Sequence, residues 1–231
     1  MASQNDFSVI YEDNHLLIVN KASGILVQGD ETGDKPLVEL CKDYIKEKYN
    51  KPGAVFLGVV HRLDRPVSGV VVLARTSKSL ERMNELFREK ETKKTYWAVV
   101  KNKPKKDHDT LIHWLMKDEK KNKTTFFTKE TTGALRSELS YKVIGTAQGH
   151  WLLQVNPVTG RSHQIRVQLA SMGCPIRGDV KYGYPEGINN GRSINLHAKQ
   201  LEFIHPVKKE NLKVEAPLPD DGFWKYFSSF E

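Results

Sequence analysis

Residues 58–74, GVVHRLDRPVSGVVVLA, hold an apolar run, a polar knot and a second apolar run. Val59 and Val60 lead in. His61, Arg62, Leu63, Asp64 and Arg65 form the knot, residues 66–69 turn the chain, and residues 70–74 lead out. β-Branched runs interrupted by Pro and Gly predict strand, loop, strand. A loop held from both sides by strands suits a side chain that must be placed accurately. Asp64 is that candidate. It stands between Arg62 and Arg65, and cations nearby keep a carboxylate ionised. An ionised carboxylate here serves as a nucleophile or base, or as a structural ion-pair partner, and these residues leave both readings open.

On the N-terminal side, residues 7–11 and 16–20 read as short strands joined by the turn composition Glu12-Asp13-Asn14-His15. Residues 25–27, Ile-Leu-Val, read as a third short strand. Pro36 then opens a helix, where its missing N–H costs nothing. Leu37, Leu40, Cys41, Tyr44 and Ile45 recur at helical spacing and form its apolar stripe. On the C-terminal side, residues 77–90 read as a helix capped by Thr76 or Ser77 and buried through Leu80, Met83, Leu86 and Phe87. Residues 95–101 read as a strand and 101–109 as a basic, proline-containing loop. Residues 111–116 are a short apolar piece. Residues 117–123, with four lysines, form a solvated hairpin tip or a phosphate-contacting edge.

Further along, residues 138–144 and 150–155 read as strands around a Gln-Gly turn. Residues 161–172 read as a helix ended by Gly173. Residues 178–191 form a long glycine-rich loop, of a length that is often functional. Residues 194–204 and 211–216 read as strands, and 223–230 as a short amphipathic helix. No repeat or low-complexity tract interrupts the chain. Strands come in runs with few helices between them, which predicts an α+β fold with a mixed, mostly antiparallel sheet.

The 231 residues suffice for one large domain or two small ones, and 39% hydrophobic content suffices for a packed core. Charged residues at 28% are ordinary for a soluble protein. Lys and Arg outnumber Asp and Glu by 36 to 28, a net charge of +8. That surplus suits nucleic acid first and a membrane surface second, or serves solubility alone. The two cysteines, Cys41 and Cys174, make neither a metal spacing nor a disulfide framework, and Cys41 on an apolar stripe reads as a buried thiol. The opening MASQNDFSVI lacks a basic segment followed by an apolar core, and no run approaches the ~20 apolar residues of a membrane helix. A reducing cytoplasm is therefore the expected location.

H-E-x-x-H, C-x-x-C, G-x-S-x-G and glycine-rich phosphate loops are all absent, so metal, esterase and nucleotide-binding readings have no support. His61, His163 and His197 read as structural hydrogen-bonding groups. A second polar constellation is TGRSHQIRVQL at residues 159–169. Arg161 and Arg166 do not share one helical face cleanly, so one is free to meet a phosphate while the other turns inward. The amides of a helix start here are also a natural anion site.

Taken together, HRLDRPVSG at 61–69, KTYWAVV at 94–100, TGRSHQIRVQLA at 159–170, GDVKYG at 178–183 and LHAKQLEFIHP at 196–206 resemble the RluA-type pseudouridine synthase family. The resemblance implies a mixed, largely antiparallel sheet with helices and loops around a basic cleft. It implies that Asp64 is the essential aspartate attacking the target uridine. Tyr96 would pack on the target base and assist its deprotonation. Arg166 would pair with the aspartate, Arg62 would hold the flipped-out nucleotide, and Leu196 would line the pocket wall. Arg161 is a candidate RNA contact on its charge and position alone, apart from the resemblance. Two positions depart from the family pattern: Val67 stands where threonine is usual, and Gln168 where histidine is frequent. Neither is a matched catalytic position.

The implied reaction breaks a glycosidic bond, rotates the uracil and rejoins it through carbon, conserving every atom, so no cofactor and no metal is expected. The carboxylate would act by attack at the anomeric carbon or as base toward a glycal, and both routes stay open. The catalytic pattern begins near Phe7, so residues 1–231 are expected to be one catalytic domain without an N-terminal S4 domain. RNA recognition would then rest on residues 178–192 and 101–123. The expected partner is structured RNA, transfer or ribosomal, with no membrane, no obligatory protein partner and a monomeric state. Two competing classes are a non-catalytic RNA-binding or chaperone module and an N-glycosidase that releases free base.

Overall fold

A computed structural model describes residues 6–230, so the leader reading of residues 1–5 lies outside the described residues. In chain order the elements are β1 (Phe7–Glu12), β2 (Leu16–Lys21), α1 (Leu37–Lys48), β3 (Gly58–Val59), β4 (Ser68–Ala74), α2 (Ser77–Arg88), β5 (Lys93–Val100), β6 (His108–Asp118) and β7 (Lys123–Phe127). They continue with β8 (Leu135–Ala147), β9 (His150–Pro157), α3 (Gln164–Ser171), β10 (Leu196–Ile204) and β11 (Asn211–Glu215). Short 3-10 turns occupy Val180–Tyr182 and Asn189–Gly191, and a 3-10 helix spans Trp224–Phe230. The fold is α+β with antiparallel strand pairing, as the strand runs predict. The described chain divides into two compact units. One runs through Lys93 and includes Ala198–Pro217; the other holds Lys94–His197 and the chain from Leu218.

In the first unit the strand order is β1-β2-β4-β10, with β11 on β10 and β3 on β4. β2 and β4 are apolar on both faces because both faces are covered: Leu16, Leu17, Ile18 and Val19 are fully buried, as are Val71, Val72, Leu73 and Ala74. One face packs Leu16, Ile18 and Val72 with Met83 of α2 and Phe203 of β10. Thr76 caps α2 by accepting from Ser79 N at 3.1 Å, while the Ser79 hydroxyl reaches back to Thr76 N. Pro36 is the residue before α1, as its position predicts.

Residues 25–27 do not form the expected strand. Their carbonyls serve other ends: Leu26 O and Val27 O accept from the first two amides of α1, Leu37 N and Val38 N, at 2.7 and 3.2 Å. Those amides have no partner inside the helix. A second constraint sits at Gly69, where φ is +114° and an added Cβ would lie 2.3 Å from Ala198 O. Gly69→Ala is expected to cost about 2–4 kcal/mol, summing left-handed strain and backbone overlap. Urea unfolding of the variant checks this, and an unchanged midpoint would contradict it.

In the second unit the order is β5-β9-β8-β6-β7, an antiparallel run. β8 and β9 meet through Gln148 and Gly149, both at positive φ (51° and 66°), the two-residue turn that suits strand twist. Residues 117–123 do form a hairpin tip, between β6 and β7. Helix α3 is shorter than expected and is buried over its first six residues. Gly173 follows it at φ +78°, the expected stop. The C-terminal segment is a 3-10 helix that packs Trp224 and Phe227 onto Trp97, Val99 and Leu152.

Candidate active site

In the first unit, Asp64 sits at the turn between β3 and β4. Its carbonyl accepts from Val67 N at 3.0 Å, closing the turn. Leu63 and Val67 are buried on either side of it, which leaves Asp64 half-buried and Arg62 exposed. His61 fixes the entry to the turn: its Nε2 accepts from Val72 N at 3.1 Å, and its ring stacks on Phe87 at 4.9 Å. His61 is thus the structural histidine that the sequence leads one to expect. The arginines that flank Asp64 in sequence reach other groups as well. Arg62 Nη1 lies 3.5 Å from Gln28 Oε1. Arg65 donates through Nε to Gly24 O at 3.0 Å and through Nη2 to Asp34.

A further cation reaches this turn. Lys21 is fully buried, and its Nζ donates to Ala22 O at 2.9 Å, Ile25 O at 2.8 Å and Arg65 O at 3.3 Å. Burial pushes its ammonium down to about 7, against an upward pull from the Asp64 carboxylate and a further downward push from Arg65. Sequence reading gives Lys21 no role. The available signal is a lysine directly closing the apolar run LLIVN, opposite Gly69 in the register of β2 on β4.

In the second unit, Tyr96 lies half-buried in β5, opposite Val155 of β9. Leu196 opens β10 and is 3% exposed. The two arginines of the TGRSHQIRV segment separate as expected. Arg161 is exposed ahead of α3, its amide donating to Gln164 Oε1 at 2.9 Å. Arg166 is turned inward at 5% exposure. Its Nε and Nη2 donate to Oδ2 and Oδ1 of Asp179 at 2.7 and 2.9 Å. Asp179, in GDVKYG, reads from sequence only as part of a loop. Cys41 and Cys174 are buried thiols whose ionisation burial pushes up. Asp64 and Arg62 therefore belong to the first unit, and Tyr96, Arg161, Arg166 and Leu196 to the second. Among the described residues, no helix is long and apolar enough to cross a membrane.

The family profile for RNA pseudouridylate synthase matches residues 15–171, which include Arg62, Asp64, Tyr96, Arg161 and Arg166. The chain belongs to that family, a class of isomerases. Over 227 residues it is 36% identical to the ribosomal large subunit pseudouridine synthase C of Buchnera aphidicola subsp. Acyrthosiphon pisum, covering 96% of this chain and 70% of that protein. It is 34% identical to the protein so named in Escherichia coli O157:H7, covering 93% of this chain and 67% of that one. With the Vibrio cholerae protein of the same name it shares 33% identity, across 91% of this chain and 65% of that one. The chain thus spans about two thirds of the length of these curated relatives. Among solved structures it is similar to human RNA Pseudouridylate Synthase Domain Containing 4. There the TM-score is 0.77 at 25% identity, with 92% of this chain and 89% of that chain covered.

Proposed function

We propose that this chain isomerises a uridine of large-subunit ribosomal RNA to pseudouridine, with Asp64 as the reacting carboxylate. The observation that carries the reading is the turn between β3 and β4. It is anchored by Leu63, Val67 and His61 and holds one half-buried carboxylate, within the segment that matches the family. Tyr96 offers a ring on which an extruded base stacks, a contact worth ~1–3 kcal/mol per base. Extrusion itself is required because the glycosidic bond is out of reach within a stack. Arg166 supplies the cation that keeps the carboxylate ionised and aimed. Arg62 holds the flipped nucleotide, Leu196 lines the pocket wall, and Arg161, exposed ahead of α3, meets a phosphate.

Cleavage of the N-glycosidic bond leaves the sugar bound to Asp64, or deprotonated by it as a glycal. The uracil turns and its C5 bonds to the anomeric carbon as the bond to Asp64 breaks, or as the proton Asp64 took returns to the glycal; the proton shed by C5 is balanced by one gained at N1. Every atom of the uridine is conserved, so the reaction draws on no redox cofactor. Both units serve one catalytic domain in this reading, acting as a monomer in the cytoplasm without a protein partner. The names of the relatives favour ribosomal over transfer RNA as the substrate. Pseudouridine mapping of large-subunit ribosomal RNA, incubated with and without the protein, tests the proposal. A new pseudouridine is the expected result. Free uracil in place of a carbon-linked base would instead mark an N-glycosidase, and unmodified RNA would leave only a binding module.

RNA recognition is assigned to the chain's own basic segments. Lys105, Lys120 and Lys121 are exposed, two of them on the hairpin tip. Reversing all three to Glu is expected to weaken RNA binding by ~10-fold or more at moderate salt. The salt dependence should flatten by ~0.7–0.9 in log–log slope for each phosphate left without its lysine. A filter-binding titration at several salt concentrations measures both, and an unchanged slope takes these lysines out of the footprint.

A further inference from the structure

The second unit holds a cavity of about 480 Å³ to which the reaction assigns nothing. Its walls come from four stretches of chain: Gln148 on the β8–β9 turn, Arg177 ahead of the Val180–Tyr182 turn, Ile188 and Asn189 in the glycine-rich loop, and Asp221 and Tyr226 where the C-terminal 3-10 helix begins. None of the residues assigned to the reaction lines it. Its size is that of a small-molecule or single-nucleotide pocket.

The polar groups of these walls are fixed in place. Arg177 N donates to Val99 O at 2.8 Å, and Arg177 O accepts from Asn195 N at 2.9 Å, so the backbone of this residue runs beside β5. The Arg177 guanidinium lies over the Phe223 ring, 3.8 Å from Cζ to the ring centroid, and its Nη1 donates to Asn195 Oδ1 at 2.8 Å. Asn195 is fully buried, and its Nδ2 has no partner among the described residues. That orphan donor costs free energy, and turning the amide over would set Nδ2 against the guanidinium, so Asn195 is held in the one sense that orients Arg177. Asp221 is fixed as firmly. Its Oδ1 accepts from Phe223 N and Trp224 N, each at 3.1 Å, at the start of the 3-10 helix. His150 ties the Gln148 turn to the same ring: its Nδ1 donates to Gln148 O at 2.8 Å, and it meets Phe223 edge-on at 5.0 Å.

Arg177 and Asp221 thus line one cavity with opposite charges, and among the described residues they form no ion pair with each other. Arg177 Nε and Nη2 and Asp221 Oδ2 likewise have no partner there. An occupant that satisfies both must carry donors and an acceptor together. A phosphate alone would be repelled by the carboxylate, and an apolar side chain would leave both charges bare. Tyr226, 41% exposed, adds an aromatic ring to the lining, and the amides of Gln148 and Asn189 can donate or accept. A ring to stack on and an edge of mixed polarity are what an unpaired nucleobase needs. Guanine alone among the RNA bases sets two adjacent N–H groups beside an acceptor: N1–H and N2–H suit the carboxylate, and O6 suits the guanidinium.

We infer, resting on RNA as the chain's substrate, that this cavity binds one unpaired guanine nucleotide of that RNA, apart from the uridine that reacts. Lys225 is exposed with its Nζ 5.2 Å from the centroid of the Tyr226 ring, where it meets the phosphate of the bound nucleotide. Fluorescence anisotropy of labelled pentaribonucleotides, uridine throughout except for G, A, C or U at the centre, titrated with the whole chain, tests this. The guanine oligomer is expected to bind the wild type roughly 5-fold or more tighter than the other three. Tyr226→Ala, which removes the exposed ring, and Asp221→Asn, which removes the charge, should each erase that advantage. Asparagine still accepts the two helix amides, so Asp221→Asn keeps the fold should Tyr226→Ala lose it. Equal affinity for the four oligomers, or a preference for another base, overturns the inference. So does a guanine preference that survives in folded Asp221→Asn. A chain that forms pseudouridine in ribosomal RNA but shows no guanine preference fails here alone. A guanine preference lost in Asp221→Asn, in a chain that leaves ribosomal RNA unmodified, supports the cavity and fails the reading of the reaction.

Discussion

Asp64→Asn is expected to abolish pseudouridine formation while leaving RNA affinity within a few-fold. The amide has nearly the shape of the carboxylate but cannot attack the anomeric carbon or accept a proton from the sugar. The turn that carries it does not depend on that side chain for its path. Leu63 and Val67 are buried, the Asp64 carbonyl closes onto Val67 N, and His61 is tied to Val72 N. The loss should therefore appear in the single-turnover rate, not in the fold or in binding. A second consequence is local. Asp64 is the group that pulls the Lys21 ionisation upward, so the Lys21 ammonium should give up its proton at lower pH in the variant. Turnover by Asp64→Asn at the wild-type rate would overturn the assignment of the reacting carboxylate.

Most of the element order is legible in local patterns, because those patterns coincide with tertiary burial. The β-branched runs LLIVN and SGVVVLA become the doubly covered strands β2 and β4. Thr76 announces α2, and Gln148-Gly149 announces the β8–β9 turn. The failures share a cause. Residues 25–27 have strand-forming side chains, but their carbonyls are consumed by Lys21 and by the opening amides of α1, a use that propensity does not register. At α3 the helix begins at Gln164 rather than at residue 161, and Gln164 and Gln168 are buried and hydrogen-bonded through their amides. For the candidate site, the residue pattern alone points to Asp64 and to the Arg161–Arg166 pair, whereas Tyr96 and the separate roles of Asp64 and Arg166 come from the family resemblance. Both miss Lys21 and Asp179 because each gains its meaning from groups far along the chain: Arg65 O for the lysine and the Arg166 guanidinium for the aspartate.

Lys21→Met should have a large effect on stability, with a pH dependence whose sign follows from burial. In the folded chain the ammonium is pushed down to about 7, chiefly by its burial, whereas an unfolded lysine titrates near ~10.4. Between those values the unfolded chain binds more protons than the folded one, so this group makes stability rise with pH. Below about 7 both states are protonated, and the full cost of holding a buried cation is present. That cost is relieved as pH climbs from about 7 toward the unfolded value. Methionine has no such titration. It also leaves Ala22 O, Ile25 O and Arg65 O without this donor, at ~1–3 kcal/mol for each carbonyl that finds no other partner. The destabilisation of Lys21→Met relative to wild type is therefore expected to be larger at pH 9 than at pH 6.5, by roughly 2–3 kcal/mol. Urea unfolding of both proteins at the two pH values measures this, and parallel stability curves would contradict it. Because Arg65 follows Asp64 directly, the same substitution should loosen the turn that holds the Asp64 carboxylate. The variant should lose turnover at pH 7.5 even where it remains fully folded, and a folded variant with the wild-type rate would confine Lys21 to stability alone.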